Sequence, residues 1–550
     1  MGMKKIRKIA VDLTPVLPGG ENGGAKIFVL ELLRRLAEMA PETQFILLTQ
    51  AASHEELSSL ETSNMKRLMV IGRSERIGAG ARLKVLSSRI LSLVPGRLRG
   101  LASRLGYRLH TSIKRGGSSS LLRNNGVDLL FCPFTAPTYF EPGIATVCTI
   151  HDLQYKTYPQ FFSPEDVAHR HHTFLEACRR AAALAAVSDY SRDSAILHGG
   201  LDESSIRTIH LRMAQRITPV SKQGADGILG CYGLTRQRYF IYPANFWKHK
   251  NHEMLLTAFG IACRDGLSDG IQLICTGAPG ARRNWLQAAA SAMGLGDRVK
   301  FPGYLSNEEL GVLMGNSLGV LFPSLYEGFG LPVIEAMAAG VPVACSNMTS
   351  LPEVAGDAAI LFDPRIPREV AQAIRSLAED AALRERLITK GRQRAAGFAD
   401  STRMAREYWD LFVHAIAHVG HENLLTGVYA DGWAGPSLNI QVAPGTSEQR
   451  LEIEISAPEW LPQSRITAHA RLGGRMHGTP VVVGRGASAV LSLPVQPGGG
   501  CYEIRMAPTF VPANSGQGND QRELSALLQR CGIVDSEGNY VELFTTKVSE

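Results

Sequence analysis

The chain has 550 residues, of which 45% are hydrophobic and 20% are charged, and this composition is typical of a soluble globular protein. Its length is too great for a single hydrophobic core, so we expect about three to four domains. No run of about eighteen uncharged apolar residues occurs, and the sequence therefore predicts no transmembrane helix.

The N-terminus places basic residues before a short apolar run, as a signal peptide does, but Asp12 and Pro15 interrupt that run. We therefore interpret residues 6–13 as a buried strand and expect a cytoplasmic protein. The nine cysteines agree with a reducing compartment, because they include no Cys-x-x-Cys pair and most lie inside apolar runs.

The first strand is followed by a glycine-rich stretch, "PGGENGGAKIF", predicted to be a loop, and by an amphipathic helix over "KIFVLELLRRLAEMA". Apolar runs at "FILLTQ", "DLLFCP", "ATVCTIHD" and "ALAAVSD" predict further buried strands. The order strand, glycine loop, helix, strand is typical of a doubly wound parallel sheet. We assign residues 1–217 to this first Rossmann-like domain.

The net charge of +7 is concentrated between Lys66 and Arg123, where fourteen lysines or arginines accompany one acid, Glu75. This segment carries +13 and the rest of the chain −6. Within it, residues 82–108 alternate basic and aliphatic positions at helical spacing, which suits an anionic membrane surface at the inner leaflet. A solvated pair of helices over an ordinary core explains the pattern equally well. Nucleic acid is disfavoured because no aromatic platform accompanies the charge.

A second unit of alternating strands and helices begins with "YFIYPAN" near residue 238. We assign residues 218–419 to this second Rossmann-like domain and predict that a helix over 401–419 closes it. Two such units in tandem form a cleft between the carboxyl ends of their sheets, where ligands of these folds bind.

The composition changes beyond residue 422 to short alternating runs separated by proline and glycine, which predicts an antiparallel β-sandwich over 422–550. Three aromatic residues of this region, Tyr429, Trp433 and Trp460, have two interpretations. They could stack on sugar rings or belong to the core of the sandwich, and the sequence favours the core.

The stretch "LFPSLYEGFGLPVIEAMAAGVPV" holds Glu327 and Glu335 eight residues apart. Pro332 fits the first turn of a helix, and Gly328 and Gly330 allow the backbone before that helix to approach a ligand closely. Free N–H groups at the helix start suit phosphate or sugar oxygens. Glu335 could then accept two hydrogen bonds from a ribose diol, while Glu327 contacts the sugar or fixes a nearby cation. The alternative is a simple strand-to-helix turn with Glu335 solvated on the helix surface.

The chain resembles the retaining glycosyltransferases of the GT-B fold, family 4, whose E-x7-E pattern is matched by Glu327 and Glu335. Five further blocks are similar: "GGENGGAKIF", "TIHDL", "AVSDYSR", "KHKNHEMLLTAF" and "RVKFPGYLSNEEL". The resemblance covers about residues 6 to 419. It implies two Rossmann-like domains facing a cleft, to which this chain adds its C-terminal β-sandwich.

The resemblance also implies roles for individual residues. His151, Lys250 and Glu327 would form the catalytic set, with His151 donating to a sugar hydroxyl or to the leaving oxygen and Lys250 neutralising the diphosphate. The implied donor-binding residues are Gly23 and Gly24 at the diphosphate, Gly303 and Tyr304 at the base, and Phe329, Gly330, Leu331 and Glu335 at the sugars. Without that context His151 is a core histidine and Lys250 a surface lysine.

One position departs from the family pattern, because Asn245 stands where many members have an arginine five residues before the lysine. Lys248, Arg282 or Arg283 could supply the missing phosphate ligand, and the sequence does not choose among them.

The sequence contains no Asp-x-Asp motif, so we expect no metal and no other cofactor, with leaving-group charge met by Lys250, backbone N–H groups and helix dipoles. The adjacent histidines 169, 171 and 172 point in different directions on a helix, which disfavours a metal site there.

The expected function is transfer of a hexose such as mannose from a GDP- or UDP-sugar to a polysaccharide or lipid-linked oligosaccharide. The resemblance leans towards GDP-mannose, but no residue discriminates guanine from uracil. Two rivals are a sugar-nucleotide epimerase or hydrolase of the same fold and a catalytically idle adaptor whose β-domain binds glycan.

Overall fold

A computed structural model of the protein describes residues 6–18, 22–72, 121–141, 143–213, 222–418, 424–429, 431–442, 448–472, 475–497, 499–512 and 522–545. The helices are α1 (Gly23–Met39), α2 (Leu121–Asn124), α3 (Gln154–Thr157), α4 (Pro164–Arg180), α5 (Asp189–Gly199), α6 (Lys222–Cys231), α7 (His252–Arg264), α8 (Ala281–Ala292), α9 (Asn307–Gly315), α10 (Leu331–Ala338), α11 (Leu351–Ala355), α12 (Pro367–Glu379), α13 (Ala381–Ala396) and α14 (Ser401–His418).

The strands of the two α/β units are β1 (Lys8–Asp12), β2 (Gln44–Gln50), β3 (Met65–Ile71), β4 (Leu129–Cys132), β5 (Ala145–Ile150), β6 (Ala183–Ala186), β7 (Ile206–Thr208), β8 (Tyr239–Pro243), β9 (Gln272–Thr276), β10 (Val299–Gly303), β11 (Gly319–Phe322), β12 (Val343–Ser346) and β13 (Ala359–Phe362). Those of the C-terminal region are β14 (Leu424–Val428), β15 (Ala434–Val442), β16 (Arg450–Ala457), β17 (Arg465–Leu472), β18 (Arg475–Met476), β19 (Val481–Gly484), β20 (Ala487–Pro494), β21 (Gly500–Ala507), β22 (Leu527–Val534) and β23 (Tyr540–Thr545).

The first α/β unit is built on a parallel sheet whose strands, within the described ranges, have the order β3-β2-β1-β4-β5-β6-β7. The strands β4, β5 and β6 are buried along their whole length, as expected for a sheet covered on both faces. The strand order reverses between β1 and β4. This switch point opens a crevice at the carboxyl ends of the strands, where ligands of such sheets bind.

The second α/β unit repeats the same plan, with the described strand order β10-β9-β8-β11-β12-β13, all parallel. Its switch point lies between β8 and β11. The two doubly wound sheets confirm the fold class that the sequence predicts.

The last helix of the second unit packs back onto the first unit. The hydroxyl of Tyr408 on α14 lies 3.2 Å from Oγ1 of Thr149 at the end of β5. Phe412 is fully buried, and its ring centre lies 5.1 Å from that of Phe131 on β4. Because α14 contributes aromatic side chains to the core of the first unit, it ties the two units together.

The C-terminal region consists of antiparallel strands in two sheets, with the described orders β14-β15-β21-β17-β18 and β20-β16-β22-β23, and β19 pairs with β17. Alternate residues of both sheets point into one hydrophobic core, as the burial pattern of β16 illustrates. Trp433 packs against this core, whereas Trp460 is 46% exposed. The predicted antiparallel β-region is therefore present.

Several local predictions need correction or fall outside the described residues. Helix α1 begins at Gly23, so Gly23 and Gly24 form its first turn instead of a loop. Two edge strands, the seven-residue β3 and the three-residue β7, were not predicted from the sequence, and neither was the five-residue helix α11. Most of the basic segment, including 82–108, lies outside the described residues. Among the described helices, none combines the length and the apolar character needed to cross a bilayer.

Replacing Phe412 with alanine will remove an aromatic side chain from the core that α14 shares with the first unit. We expect a loss of about 3–5 kcal/mol of unfolding free energy, as for other buried phenylalanines. Denaturant unfolding followed by tryptophan fluorescence measures this loss. Arg406→Ala, at an exposed position of the same helix, is the control and should change stability by less than about 0.5 kcal/mol. Equal effects of the two substitutions would contradict the packing role of α14.

Candidate active site

The sequence-predicted site residues lie where strands of both α/β sheets end. His151 follows β5, Asn245 follows β8, Gly303 ends β10 and Glu327 follows β11. All four positions are at the carboxyl edge of a parallel sheet, and the two edges meet along one boundary, which we call the seam. The fold therefore brings residues from distant parts of the sequence to the same crevice.

The loop after β11 ends at Gly330, which has a φ of +103° and precedes α10. This left-handed conformation favours glycine, and a Cβ at this position would lie 2.6 Å from the side chain of Leu351. Pro332 lies in the first turn of α10, where its missing N–H costs nothing. Glycine and proline thus fix the start of the helix, as the sequence predicts.

Glu327 forms an ion pair with Lys250, in which Nζ and Oε1 are 2.5 Å apart. The two side chains are only 12% and 11% exposed. The hydroxyl of Tyr242 donates to the carbonyl of Lys250 at 2.7 Å, and the ammonium lies 5.2 Å from the centre of the Phe322 ring. Because the pair is mostly removed from water, the two charges interact strongly and each fixes the position of the other.

Glu335 lies on α10, little more than one turn after its start, and is 2% exposed. This burial excludes the alternative in which Glu335 is a solvated residue on a helix surface. A buried carboxylate requires hydrogen-bonding partners, so its position is set by the protein and not by solvent.

The loop that carries Glu327 touches the first unit through its backbone. A Cβ on Gly328 would overlap the carbonyl oxygen of His151, so only glycine fits there. The carbonyl of Gly328 accepts a hydrogen bond from Oγ of Ser188 at 2.7 Å, and Oγ of Ser191 donates to the carbonyl of His151 at 3.0 Å. The seam therefore has no space for side chains between these two segments.

The His151 ring is held in one orientation. Its Nε2 lies 2.7 Å from the carbonyl of Pro133, and the ring packs edge-on against Phe28 at 5.8 Å. Burial lowers the pKa of His151. A carbonyl can only accept, so the neutral ring carries its proton on Nε2 and leaves Nδ1 as an acceptor. The donor role implied by the family resemblance would need a second proton on this ring.

Gly23 and Gly24 face the second unit across the seam. A Cβ on Gly23, which has a φ of +54°, would lie 3.2 Å from the ring of Trp247, and one on Gly24 would lie 3.3 Å from Leu331. The structure therefore brings Gly24 and Leu331 together, as expected for residues around one donor. Trp247 is 42% exposed and was missed in the sequence, because nothing in "YPANFWKHK" shows that its ring faces the glycines.

Asn245 has a structural partner, since its Oδ1 accepts a hydrogen bond at 3.0 Å from a backbone N–H in the loop after β9. Two of the three candidate replacement cations are also engaged: Arg282 pairs with Glu253, and Arg283 donates to a backbone carbonyl at 2.5 Å. Lys248 lies exposed on the turn before Lys250. Of the three candidates, Lys248 is the exposed one.

The remaining predicted donor residues differ in what they expose. Gly303 has a φ of +97° and open space where a Cβ would lie, and Tyr304 is 68% exposed. Phe329 is 4% exposed and its ring packs against His210, with ring centres 6.1 Å apart. Only the backbone of Phe329 is therefore positioned to line a sugar.

Comparison with known proteins identifies the family. Residues 233–394 match the model of "Glycosyl transferases group 1". The O-antigen chain mannosyltransferase B of Escherichia coli is 31% identical over 268 residues, which are 48% of this chain and 70% of that protein. This chain belongs to the glycosyl transferases group 1 family.

Solved structures of glycosyltransferases share the fold. Anabaena HepE in complex with UDP and glucose superposes with a TM-score of 0.53 and 17% identity, covering 74% of this chain and 98% of that one. WaaG, a glycosyltransferase involved in lipopolysaccharide biosynthesis, superposes with a TM-score of 0.52 and 14% identity, covering 74% of this chain and 99% of that one. The two α/β units thus have the GT-B architecture of a glycosyltransferase, and about a quarter of the chain has no counterpart in these neighbours.

In this glycosyltransferase a carboxylate joins the two units beside the E-x7-E loop. Glu353 on α11 accepts hydrogen bonds from the first backbone N–H groups of α5, Asp189 N at 2.8 Å and Tyr190 N at 3.1 Å. Its Oε1 also lies 2.6 Å from Nε2 of His210. An acid at a helix N-terminus is favourable because it satisfies free N–H groups and the helix dipole.

We call this contact between Glu353, the start of α5 and His210 the Glu353 latch. None of these residues was predicted from the sequence to join the two units. Burial alone raises the pKa of Glu353, but the hydrogen bonds from His210 and from the α5 backbone outweigh it and hold the pKa below its usual value. The side chains of Asp189, His210 and Glu353 place one possible ligand atom each within 4.8 Å of one another, a spacing that could hold a metal ion. The hydrogen bonds from the α5 backbone and the contact with His210 connect the two units.

A second missed residue is Asp12 at the carboxyl end of β1. It is 1% exposed, and Oδ1 accepts hydrogen bonds from the backbone N–H and hydroxyl of Thr14 at 3.0 and 2.6 Å. Burial raises the pKa of Asp12 to about 7, so this group exchanges a proton near neutral pH. In the sequence Asp12 only marked the end of an apolar run, and its burial could not be predicted from that pattern.

Replacing Glu353 with glutamine will weaken the latch, because a neutral amide holds the α5 N–H groups less strongly. We expect the contact between the two units to weaken by about 1.5–3 kcal/mol, the usual value for hydrogen bonds to a charged group. Small-angle scattering should show a larger radius of gyration, and thermal unfolding should begin at a lower temperature.

The latch should also weaken in the unmodified protein at low pH, with the same increase in the radius of gyration. Since the folded pKa of Glu353 lies below its ordinary value, its contribution is complete above that ordinary value and is lost as the pH falls through the folded pKa. Glu379→Gln, which removes an exposed partner of Arg375, is the matched control. If both variants keep the radius of gyration of the parent protein, the latch does not hold the units together.

Proposed function

We propose that this glycosyltransferase is a retaining, metal-independent enzyme that transfers mannose from a nucleoside-diphosphate sugar to a polysaccharide or lipid-linked oligosaccharide. The observation that supports it most directly is the Lys250–Glu327 pair, which is buried at the carboxyl edge of the second sheet. Glu327 lies four residues before the start of α10. The Escherichia coli relative named above is a mannosyltransferase of O-antigen chains, which favours mannose and a glycan acceptor.

The donor would lie along the seam. Backbone groups of Gly303 and the ring of Tyr304 are open to a base, and the carboxylate of Glu335 suits a ribose diol. The diphosphate would approach Lys250 and the free backbone N–H groups in the first turn of α1. HepE is a fold neighbour whose complex contains UDP, and the choice between UDP and GDP in this chain is left to experiment.

The proposed reaction is a front-side displacement at the anomeric carbon. The bond from that carbon to the diphosphate oxygen breaks, and the departing phosphate oxygen takes the proton of the attacking acceptor hydroxyl. The new glycosidic bond forms on the same face, so the configuration is retained. Lys250 would stabilise the negative charge that develops on the diphosphate, and Glu327 keeps this ammonium in place.

The acceptor would bind on the side of the first unit, beside His151. With Nε2 bound to Pro133, the neutral ring presents Nδ1, which can accept a hydrogen bond from a sugar hydroxyl. The relatives do not favour the epimerase, hydrolase or idle-adaptor alternatives.

A transfer assay tests this proposal. Purified protein is incubated with GDP-mannose or a panel of UDP-sugars, α-linked mannobiose as acceptor, and EDTA, and products are identified by mass spectrometry and by NMR of the anomeric proton. We expect an α-linked product in the presence of EDTA. Lys250→Ala should lower kcat by about 10²–10³, the usual effect of removing one group that stabilises developing charge.

Lys390→Ala is the matched control, since it removes a lysine from an exposed ion pair with Asp357 and should leave kcat unchanged. Thermal unfolding of both variants checks that they fold. The proposal is overturned if no donor supports transfer, if EDTA abolishes it, or if Lys250→Ala and Lys390→Ala behave alike.

A separate proposal concerns the cell membrane, and it rests on the sequence of residues 82–108. If this basic stretch binds the inner leaflet, the protein should associate with vesicles containing phosphatidylserine and not with neutral phosphatidylcholine vesicles. Changing four arginines in it to serine should weaken this binding by at least about a hundredfold, since each contributes about 1 kcal/mol. The four are Arg97, Arg99, Arg104 and Arg108. Undiminished sedimentation of the variant with anionic vesicles would show that these charges are not the membrane contact.

A further inference from the structure

The C-terminal β-region and the first α/β unit enclose a groove that the catalytic site does not use. It has a volume of about 580 Å³, within the range of ligand-binding pockets. The lining comes from α4 (His171, Leu175 and Arg179), from Leu201 after α5, and from Tyr429 and Arg522 of the β-region. We call it the interdomain groove, and it exists only because the β-region is attached to this chain.

The short helix α3 connects the groove to the seam. Helix α3 follows His151 in the chain. The hydroxyl of Tyr155 on α3 lies 3.4 Å from Nδ1 of His171, which is the first groove residue along α4. Tyr158, just after α3, packs edge-on against Tyr326 of the second unit, with ring centres 6.3 Å apart. His171 is seven residues along α4 and therefore about 10 Å from its start. From there the groove continues along α4 to Arg179.

The charged groups of the wall are paired with acids. Arg522 forms a two-pronged ion pair with Asp431, at 2.5 and 3.1 Å, and its guanidinium lies 4.6 Å from the centre of the Tyr429 ring. Arg179 lies 3.7 Å from Glu176. Because Glu176 and Asp431 pair with them, the two arginines contribute N–H groups to the wall without a large net charge, and such donors can bind the hydroxyls of a sugar.

The rest of the wall is apolar or neutral. Leu175, Leu201 and Val428 present aliphatic surface, and Tyr429 adds an aromatic ring. Burial and the neighbouring Lys156 lower the pKa of His171, so its ring is neutral at pH 7. A wall with paired charges, aliphatic patches and a tyrosine ring fits a neutral sugar chain, whose rings have both polar edges and apolar faces.

We propose that the interdomain groove binds a segment of the acceptor's oligosaccharide chain, at a distance from the sugar that is being extended. This inference rests on the proposed function, because it gives a glycan acceptor a second point of attachment. Two linked contacts raise the apparent affinity of a long acceptor without any change at the reacting centre. The attached β-region would then make the enzyme prefer acceptors that are already long.

The test compares α-linked mannobiose with α-linked mannohexaose. Tyr429→Ala removes the aromatic wall, and Arg179→Gln is a second groove variant that leaves Glu176 its 2.9 Å pair with Arg180. Tyr540→Ala is the matched control, because Tyr540 is a half-buried tyrosine of the β-region with Arg530 at 5.2 Å from its ring centre, outside the groove.

The first readout is binding, measured by isothermal titration without any donor. We expect mannohexaose to bind the full-length parent protein and Tyr540→Ala equally, and to bind both groove variants about tenfold or more weakly, as expected when one of two linked contacts is lost. Absence of mannohexaose binding to the parent protein, or equal binding by all four proteins, overturns the inference.

The second readout is the ratio of kcat/KM for mannohexaose to that for mannobiose. This ratio should fall about tenfold in both groove variants and stay constant in Tyr540→Ala. An unchanged ratio in the groove variants overturns the inference. If no transfer to either acceptor is observed, the proposed function fails, while the binding measurement still decides whether the groove holds a glycan.

Discussion

The contact between Gly328 and the carbonyl of His151 is the constraint on which the rest of the site depends. Both are backbone groups, so their separation cannot be adjusted by a rotamer change, and the absence of a Cβ allows the two sheets to meet directly. Ser188 and Ser191 satisfy the carbonyls at this point, and Glu353 secures the adjacent helix α5. The loop that carries Glu327 is thus positioned by the first unit as well as by the sheet from which it extends. The relative position of His151 and Glu327 therefore depends on how the two α/β units pack against each other.

The charged groups beside this contact are also fixed in position. The ammonium of Lys250 and the carboxylate of Glu327 are close together and mostly removed from water, so each fixes the position of the other. In such surroundings an electrostatic interaction is stronger than at the surface and needs little reorganisation when a charge develops nearby. His151 is likewise fixed, because Pro133 accepts its Nε2 proton and Phe28 packs on its ring. Lys250, Glu327 and His151 are therefore held in place by the protein, while Tyr304 and Trp247 are more exposed.

The sequence predicts this architecture well wherever one local pattern carries the information. Buried strands such as β4 and β5, the proline at the start of α10 and the E-x7-E spacing are all short-range features. Contacts between distant segments were not accessible in this way. The Glu353 latch joins α11 to α5 and to His210, and no spacing marks such a meeting. The first turn of α1 is predicted to be a loop because its glycines have low helix propensity, whereas in the structure both glycines belong to the helix and lie close to Trp247 and Leu331.

The return of α14 to the first unit has a consequence for how the protein is made. Phe28 and Phe131 belong to segments synthesised early, but the aromatic residues that cover them, Tyr408 and Phe412, lie about 280 to 380 residues further along. A ribosome adds about 5–20 residues per second, so the core of the first unit stays incomplete for tens of seconds after its own strands have emerged. During that interval its apolar surface is open to other chains. Folding of the N-terminal half therefore ends only when the second unit has been translated, and the two halves behave as one cotranslational unit.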